Sequence, residues 1–220
     1  MVALLDEFGA HAHLPFVLAM AMTALLVASA FMLTRPEAEE RSARGRDDEA
    51  DPEHDLLTEL PTFNQFSRRL SDEFSRARKV GRQVAVVLID VNNLSAVNKE
   101  YGVRAGDEVL RHVARAIDGT RRYSDVVARL GDDEFGVVLM DTAEDGVRAF
   151  IGRLEDRLSR ESAVADVAGR SISLWAGICS GNAVSDPTMM RSETVLQAAM
   201  ADLDRAKQER ERRRRTWLSA

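Results

Sequence analysis

The sequence lacks several features that mark common classes of protein. It has one cysteine among 220 residues, which excludes an internal disulfide bond. It also lacks a basic excess, because 36 acidic residues outnumber 30 lysines and arginines and leave a net charge of −6. We therefore expect no nucleic acid partner. The single thiol, Cys179, follows a segment typical of a strand and is predicted to be buried and unreactive.

Charged residues are absent from residues 14–34, LPFVLAMAMTALLVASAFMLT. At about 1.5 Å per residue, a helix of this length spans the roughly 30 Å hydrocarbon core of a membrane. A cleaved signal peptide is the alternative, since residues 28–30, ASA, resemble a cleavage site. However, no lysine or arginine precedes the apolar segment, and this favours a transmembrane helix.

Four arginines follow the apolar segment, within a polar, charged linker at residues 35–54. The positive-inside rule then predicts a single-pass protein of the bacterial inner membrane, with a short extracytoplasmic segment at residues 1–13 and a cytoplasmic C-terminal domain. Arginines also dominate the basic tail at residues 212–220. They either stabilise the end of a helix or contact anionic lipid head groups.

Apolar periodicity after the linker predicts alternating helices and strands. Strands are predicted at residues 84–90 and 171–179, with a hairpin over 126–140. Helices are predicted after a capping box at residues 62–65, over 94–101 with Asn92 and Asn93 as caps, from 106, over 143–160 and from 192. This order predicts an α+β fold with a central, mainly antiparallel sheet flanked by helices and preceded by one transmembrane helix.

Acidic side chains lie at the ends of two predicted strands. The hairpin VVARLGDDEFGVVLM has Asp132, Asp133 and Glu134 in its turn, where solvated acids are common. Asp90 ends the apolar strand VAVVLID, and an unpaired carboxylate there would be costly to bury. If the two strands are neighbours, Asp90 meets Asp133 and Glu134. Such a cluster suits the divalent cations that take oxygen ligands and assist phosphoryl transfer.

Three segments in this order resemble the GGDEF family. They are LTELP at residues 57–61, LIDVNNLSAVNKEYGVRAGDEVL at 88–110 and ARLGDDEF at 128–135. Members of this family are diguanylate cyclases, which join two GTP molecules into cyclic di-GMP. The resemblance implies a GGDEF domain at residues 55–211, with a fold similar to the palm of nucleotidyl cyclases and polymerases.

The resemblance also implies a metal-dependent active site, with Mg²⁺ or Mn²⁺ as cofactor. Asp90, the carbonyl group of Val91, Asp133 and Glu134 correspond to the metal ligands of the family. Asp133 and Glu134 are in addition the catalytic pair, which helps to activate the 3′-hydroxyl group of GTP.

Further residues correspond to the nucleotide-binding groups of the family. By the resemblance, Asn98 and Asp107 match the guanine readers, and their chemistry suits this role, since an amide both donates and accepts while a carboxylate accepts from guanine N–H groups. Asn98 could instead cap the end of a helix, and Asp107 could be an acidic residue in the first turn of a helix. Both structural roles can coexist with nucleotide binding. Lys207 matches a phosphate-binding lysine. Arg122 and Asp125 match the R-x-x-D inhibitory site, which binds the product.

The sequence departs from the family pattern mainly where the family binds phosphate. Asp132 replaces the second glycine of the signature, Ser95 replaces a lysine and Glu211 replaces an arginine. All three changes make the site less favourable for a triphosphate, so we expect weak or no catalysis. The other departures are Glu59, Thr62, Phe63, Asn92, Trp175, Met200 and Asp204.

Three functions are consistent with these features. The first is a membrane-anchored GGDEF protein of cyclic di-GMP signalling that has weak or no catalysis and binds GTP or cyclic di-GMP as a regulatory domain. The second is an active diguanylate cyclase with product inhibition, which would work as a homodimer because each subunit holds one GTP. The third is a membrane-anchored scaffold for protein interactions.

Overall fold

A four-stranded antiparallel sheet is the centre of residues 53–218, the part of the chain that the computed structural model describes. The strand order is β2-β3-β1-β6. These strands are β1 (Val84–Val91), β2 (Val126–Arg129), β3 (Glu134–Met140) and β6 (Ile178–Val184). A separate two-stranded sheet consists of β4 (Ala163–Val167) and β5 (Arg170–Leu174). The predicted α+β fold and antiparallel sheet are confirmed.

Helices cover both faces of the central sheet. They are α1 (Phe63–Lys79), α2 (Leu94–Tyr101), α3 (Val103–Asp118), α4 (Glu144–Arg160) and α5 (Ser192–Leu218). Apolar residues of α1 and α5 pack against one face, and those of α3 and α4 pack against the other. Successive side chains of a strand point to opposite faces, so an inner strand between two helical layers is apolar at nearly every position. This explains the continuous apolar sequence of β1.

The strand predicted over residues 171–179 is wrong as a single element. Residues up to Leu174 pair with β4, whereas residues from Ile178 pair with β1. The chain therefore leaves one sheet and joins another at residues 175–177, where Trp175 is 63% exposed. A continuous β-prone sequence carries no sign of a change of partner, and β4 itself was not predicted.

The start of α3 also differs from the prediction, since the helix begins at Val103 and not at Gly106. Gly102, with φ of 88°, separates α2 from α3 as a single non-helical residue. Gly106 lies inside the helix and is buried against Asn98. A Cβ atom at Gly106 would lie 1.9 Å from Asn98 Oδ1, so this glycine permits close packing of the two helices.

Two predicted helix caps do not form. Thr62 is at the N-cap position of α1, but its side chain makes no capping hydrogen bond and its hydroxyl oxygen is buried without a partner within the described residues. Asn93 is at the N-cap position of α2 in the left-handed conformation, and its side chain does not cap the helix either. The predicted transmembrane segment at 14–34 lies outside the described residues. Within residues 53–218, no helix has both the length and the hydropathy to cross a membrane.

Candidate active site

Antiparallel pairing brings the acidic strand ends together, as predicted. Asp90 at the end of β1 lies opposite Glu134, the first residue of β3, and opposite Cys179 of β6 on its other side. The backbone N–H of Val91 donates a 2.9 Å hydrogen bond to the carbonyl oxygen of Asp133. The turn of the hairpin therefore lies directly beside the end of the central strand.

Lys207 of α5 reaches this cluster and lies between two of its carboxylates. Its Nζ is 2.6 Å from Asp90 Oδ2 and 3.0 Å from Glu134 Oε1. Burial alone would lower the pKa of Lys207, but hydrogen bonds and the negative charges of Asp90 and Glu134 outweigh burial and raise that pKa. The side chain is thus held in its charged form, as the resident cation of the cluster.

Asp133 lies beside this cluster and, unlike Asp90 and Glu134, forms no ion pair with Lys207. Burial raises the pKa of Asp133, and the negative charge of Asp90 raises it further, while Lys207 acts in the opposite direction. Lys207 pairs with Asp90 and Glu134, so this part of the site keeps an excess of negative charge and favours additional positive charge.

The oxygen atoms of these side chains are of the type that binds Mg²⁺ and Mn²⁺, because both ions take carboxylate and carbonyl oxygen ligands. Across residues 53–218, no three carboxylate, imidazole or thiol side chains converge closely enough to hold a metal ion. Lys207 instead bridges Asp90 and Glu134. A divalent cation at these two carboxylates would therefore displace the ammonium group.

Arg129 stabilises the turn of the hairpin through hydrogen bonds to its backbone. Its guanidinium donates to the carbonyl oxygens of Gly131 at 3.1 Å and Asp132 at 2.8 Å. It also forms two 3.0 Å hydrogen bonds to the carboxylate of Asp55. Sequence reasoning missed Arg129 and Asp55, although an arginine next to an acidic turn and an acid opening the domain are visible in the sequence.

Asp132 does not strain the turn. The non-glycine residues of the described chain with positive φ are Glu59, Asn93, Asp141 and Ala168, so Asp132 is outside the left-handed region. Its side chain is exposed to solvent. The backbone conformation of this turn therefore does not require glycine at position 132, and the effect of the aspartate is its bulk and its charge.

The two predicted guanine readers lie near the junction of α2 and α3. Asn98 belongs to α2, and its Oδ1 is buried with no hydrogen-bond partner among the described residues. Asp107 is in the first turns of α3 and is half-buried, next to the Gly106 that packs on Asn98. An unpaired buried carbonyl oxygen costs free energy, and because this oxygen packs on Gly106, the Asn98 side chain must turn before a ligand N–H group can reach it.

The R-x-x-D residues lie elsewhere, in the turn before β2. Asp125 is buried, and its carboxylate accepts hydrogen bonds from the backbone N–H groups of Arg122 at 2.8 Å and Met140 at 3.1 Å. Asp125 therefore holds the turn in place, while the side chain of Arg122 is exposed. An open cavity of about 630 Å³ borders this turn, and its lining includes Arg69, Arg115, Arg121, Tyr123 and Asp125.

Three departures from the family pattern converge in space. Phe63 of α1 and Met200 and Asp204 of α5 line a small cavity of about 150 Å³, which Glu134 also borders. Phe63 and Met200 are 46% and 53% exposed. All three departures therefore alter the surroundings of Glu134, a candidate catalytic residue, although Phe63 is far from the other two in the sequence.

Comparison with known proteins agrees with the resemblance seen in the sequence. The family model described as diguanylate cyclase, GGDEF domain, matches residues 52–213. The diguanylate cyclase TpbB of Pseudomonas aeruginosa is 41% identical over 111 residues, which cover 49% of this chain and 26% of TpbB. The probable diguanylate cyclase DgcE of Escherichia coli is 30% identical over 148 residues, which cover 67% of this chain and 13% of DgcE. The matched part is thus about a quarter or less of either relative.

Solved structures share the fold. The GGDEF domain of TpbB from Pseudomonas aeruginosa matches with a TM-score of 0.63 and 31% identity, covering 71% of this chain and 89% of that domain. The GGDEF domain of DgcB from Caulobacter crescentus, solved in complex with cyclic di-GMP, matches with a TM-score of 0.67 and 23% identity, covering 72% of this chain and 92% of that domain. At this lower identity, the second match is evidence for the fold alone.

Proposed function

The chain belongs to the GGDEF domain family, and on this premise we propose that it is a GTP-binding protein of cyclic di-GMP signalling with weak diguanylate cyclase activity. The observation that carries the proposal is the cluster at the end of β1, where Lys207 bridges Asp90 and Glu134. Two carboxylates that could take a divalent cation, with an ammonium group beside them that could turn to phosphate, would suit a metal-bound triphosphate.

In this proposal, the residues of the cluster have two roles, metal binding and phosphate binding. Asp90, the Val91 carbonyl group, Asp133 and Glu134 would hold Mg²⁺ or Mn²⁺. The bound metal would polarise phosphoryl oxygens and favour deprotonation of the attacking 3′-hydroxyl group. Lys207, released from its two carboxylates, would bind phosphate oxygens of GTP. The reaction joins the 3′-oxygen of one GTP to the α-phosphorus of another and releases pyrophosphate.

Base selection would come from Asn98 and Asp107. The unpaired Oδ1 of Asn98 supports this assignment, because a guanine N–H group would supply the missing donor. The carboxylate of Asp107 would accept from the N1 and N2 hydrogens of guanine. Adenine has no N1 hydrogen and no 2-amino group, so we expect GTP to bind in preference to ATP.

Weak catalysis follows from two substitutions near the phosphates. The negative charge of Asp132 at the hairpin turn repels the triphosphate of GTP. Ser95 stands where the family has a lysine, so one positive charge is missing. The alternative is a fully active cyclase under product inhibition. It draws support from the ordinary backbone conformation at Asp132 and from the cavity next to Asp125. We assign the site of cyclic di-GMP binding to this turn, with Arg122 as the exposed ligand-binding group and Asp125 as the residue that positions it.

The surrounding organisation is part of the same proposal. We propose a membrane anchor at residues 14–34, a linker at 35–54 and a cytoplasmic GGDEF domain that forms a homodimer when it is active. The supporting observations are the uncharged apolar segment and the arginines after it.

Binding selectivity tests the proposed function directly. Titration of the purified full-length chain with GTP and with ATP, in the presence of Mg²⁺, measures it by calorimetry. We expect preference for GTP by about tenfold or more, since one lost hydrogen bond to a buried group costs about 1–3 kcal/mol. Asn98→Ala and Asp107→Ala should reduce the preference. Equal affinity for the two nucleotides in the unmutated protein would contradict the assignment.

A further inference from the structure

The face of α5 that meets the sheet is fixed by a close approach of two backbones. A Cβ atom at Gly181 of β6 would lie 2.0 Å from the backbone nitrogen of Leu203, so only glycine allows this packing. Leu203, Lys207 and Arg210 follow one another at spacings of four and three, which places them on one side of the helix. The contact at Gly181 therefore directs Lys207 and Arg210 towards the ends of β1 and β6.

Arg210 reaches the segment that follows β1. Its Nη1 donates to Asn92 Oδ1, and its Nη2 donates to Asn93 Oδ1 at 3.1 Å. Burial raises the pKa of Cys179, and the positive charge of Arg210 is the largest influence that opposes it. Because Cys179 pairs with Asp90, the guanidinium lies on the same edge of the sheet as the carboxylate cluster.

The charge of Arg210 is oriented but not neutralised. Lys207 has two carboxylate partners, whereas the partners of Arg210 within residues 53–218 are two neutral amide oxygens, and no carboxylate there forms an ion pair with it. Asn92 stands where the family has an aspartate. The amide holds the guanidinium in place as a carboxylate would, but it leaves the full positive charge available to a ligand.

Glu211, in contrast, does not oppose phosphate binding as its position suggests. Its carboxylate lies 3.2 Å from Arg215 Nε and 3.9 Å from Arg214 Nε, and its side chain is 47% exposed. One residue further along a helix rotates the side chain by about 100°. The carboxylate of Glu211 is therefore paired with arginines of its own helix, while Arg210 donates to the two asparagines that follow β1.

We propose that Arg210 binds the phosphates of GTP in place of the arginine that is absent at position 211, and that Asn92 and Asn93 position it. The inference rests on the proposed function, since it requires a nucleotide at the Asp90 cluster. A guanidinium is suited to this role because its parallel N–H groups bind two phosphate oxygens at once. The side chain of Asn93, turned towards Arg210, also leaves the first N–H groups of α2 without a side-chain cap.

The test compares ligands that differ in phosphate number. Calorimetry measures the affinity of the full-length chain for a GTP analogue with a non-hydrolysable α–β bridge and for GMP. We expect Arg210→Ala to weaken binding of the triphosphate about tenfold or more, because the charge-assisted hydrogen bonds from the guanidinium to phosphate are lost. The affinity for GMP should fall much less. Arg210→Lys, which keeps the charge but not the paired N–H groups, should give an intermediate loss.

Glu211→Ala is the matched control, since the neighbouring carboxylate is paired with Arg214 and Arg215, and we expect it to leave both affinities unchanged. If Arg210→Ala lowers the affinities for triphosphate and GMP equally, Arg210 has a structural role and the inference is wrong. An unchanged triphosphate affinity in Arg210→Ala would also overturn it. If the unmutated protein binds neither ligand, the proposed function itself fails, and this outcome is distinct from the other two.

Discussion

Arg129 and Asp55 form an ion pair, in which Nη1 of Arg129 lies 3.0 Å from both carboxylate oxygens, and it joins the acidic hairpin to the segment before α1. The two side chains are only 14% and 23% exposed. Asp55 also accepts hydrogen bonds from the backbone N–H and the hydroxyl group of Thr58. Because the same guanidinium binds the carbonyl oxygens of Gly131 and Asp132, this pair holds the acidic turn in place.

Asp55→Asn is therefore expected to destabilise the domain. The substitution keeps the size of the side chain but removes the charge that Arg129 pairs with, which should lower the free energy of unfolding by about 2 kcal/mol. Urea denaturation of the full-length chain measures this difference. Asp145→Asn is the control, because Asp145 is 93% exposed in its pair with Arg148 and its loss should change little. Equal effects of the two substitutions would contradict a specific role for Asp55.

The same pair predicts a dependence of stability on pH. Burial alone would raise the pKa of Asp55, but hydrogen bonds from Thr58 and Arg129 outweigh it and lower the pKa below the usual value of 3.8. A carboxyl group with a lowered folded-state pKa stabilises the fold above its unfolded-state pKa, and this contribution is lost as the pH falls through the folded-state pKa. Between about pH 5 and pH 3, the unmutated protein should thus lose more stability than Asp55→Asn. Parallel curves for the two proteins would show that Asp55 titrates normally.

Gly181→Ala tests the packing of α5 on the sheet. The new methyl group would collide with the backbone of Leu203, so we expect a loss of at least about 2 kcal/mol in the free energy of unfolding, as in overpacked cores. Gly152→Ala in α4 is the matched control, because a Cβ atom there meets nothing within 4 Å. Alanine has the higher helix propensity, so this variant should be as stable as the unmutated protein or more so. A neutral Gly181→Ala would mean that α5 can move away from β6.

The central strand and the hairpin were predictable because their signals are local. β1 is an apolar segment ending in Asp90, and the hairpin has apolar arms around Asp132, Asp133 and Glu134. Each is contained in about fifteen residues or fewer, and a change from apolar to acidic residues marks where the strands end. Their meeting at one edge of the sheet follows from antiparallel pairing.

The contacts that complete the site were not predictable in the same way. Arg129 meets Asp55 across 74 positions, and Lys207 meets Glu134 across 73. Arg210 reaches Asn93 across 117. Comparison with a family motif identifies only residues at matching positions. Arg210 is one position away from the family's arginine, so the motif does not identify it. Only the folded structure shows that Arg210 donates to Asn92 and Asn93, whereas Glu211 pairs with Arg215 of its own helix.

Formation of cyclic di-GMP from GTP by the full-length chain, with Mg²⁺ or Mn²⁺ at high protein concentration, tests the central claim most directly. We expect slow product formation that Glu134→Gln abolishes, because the site keeps its carboxylates and the two residues that we propose read guanine. Asp132→Gly should increase the rate by removing charge next to the triphosphate. Turnover as fast as that of an ordinary diguanylate cyclase, with no gain from Asp132→Gly, would contradict the claim that this site is weakened at the hairpin turn. Product formation that persists in Glu134→Gln would place the chemistry elsewhere.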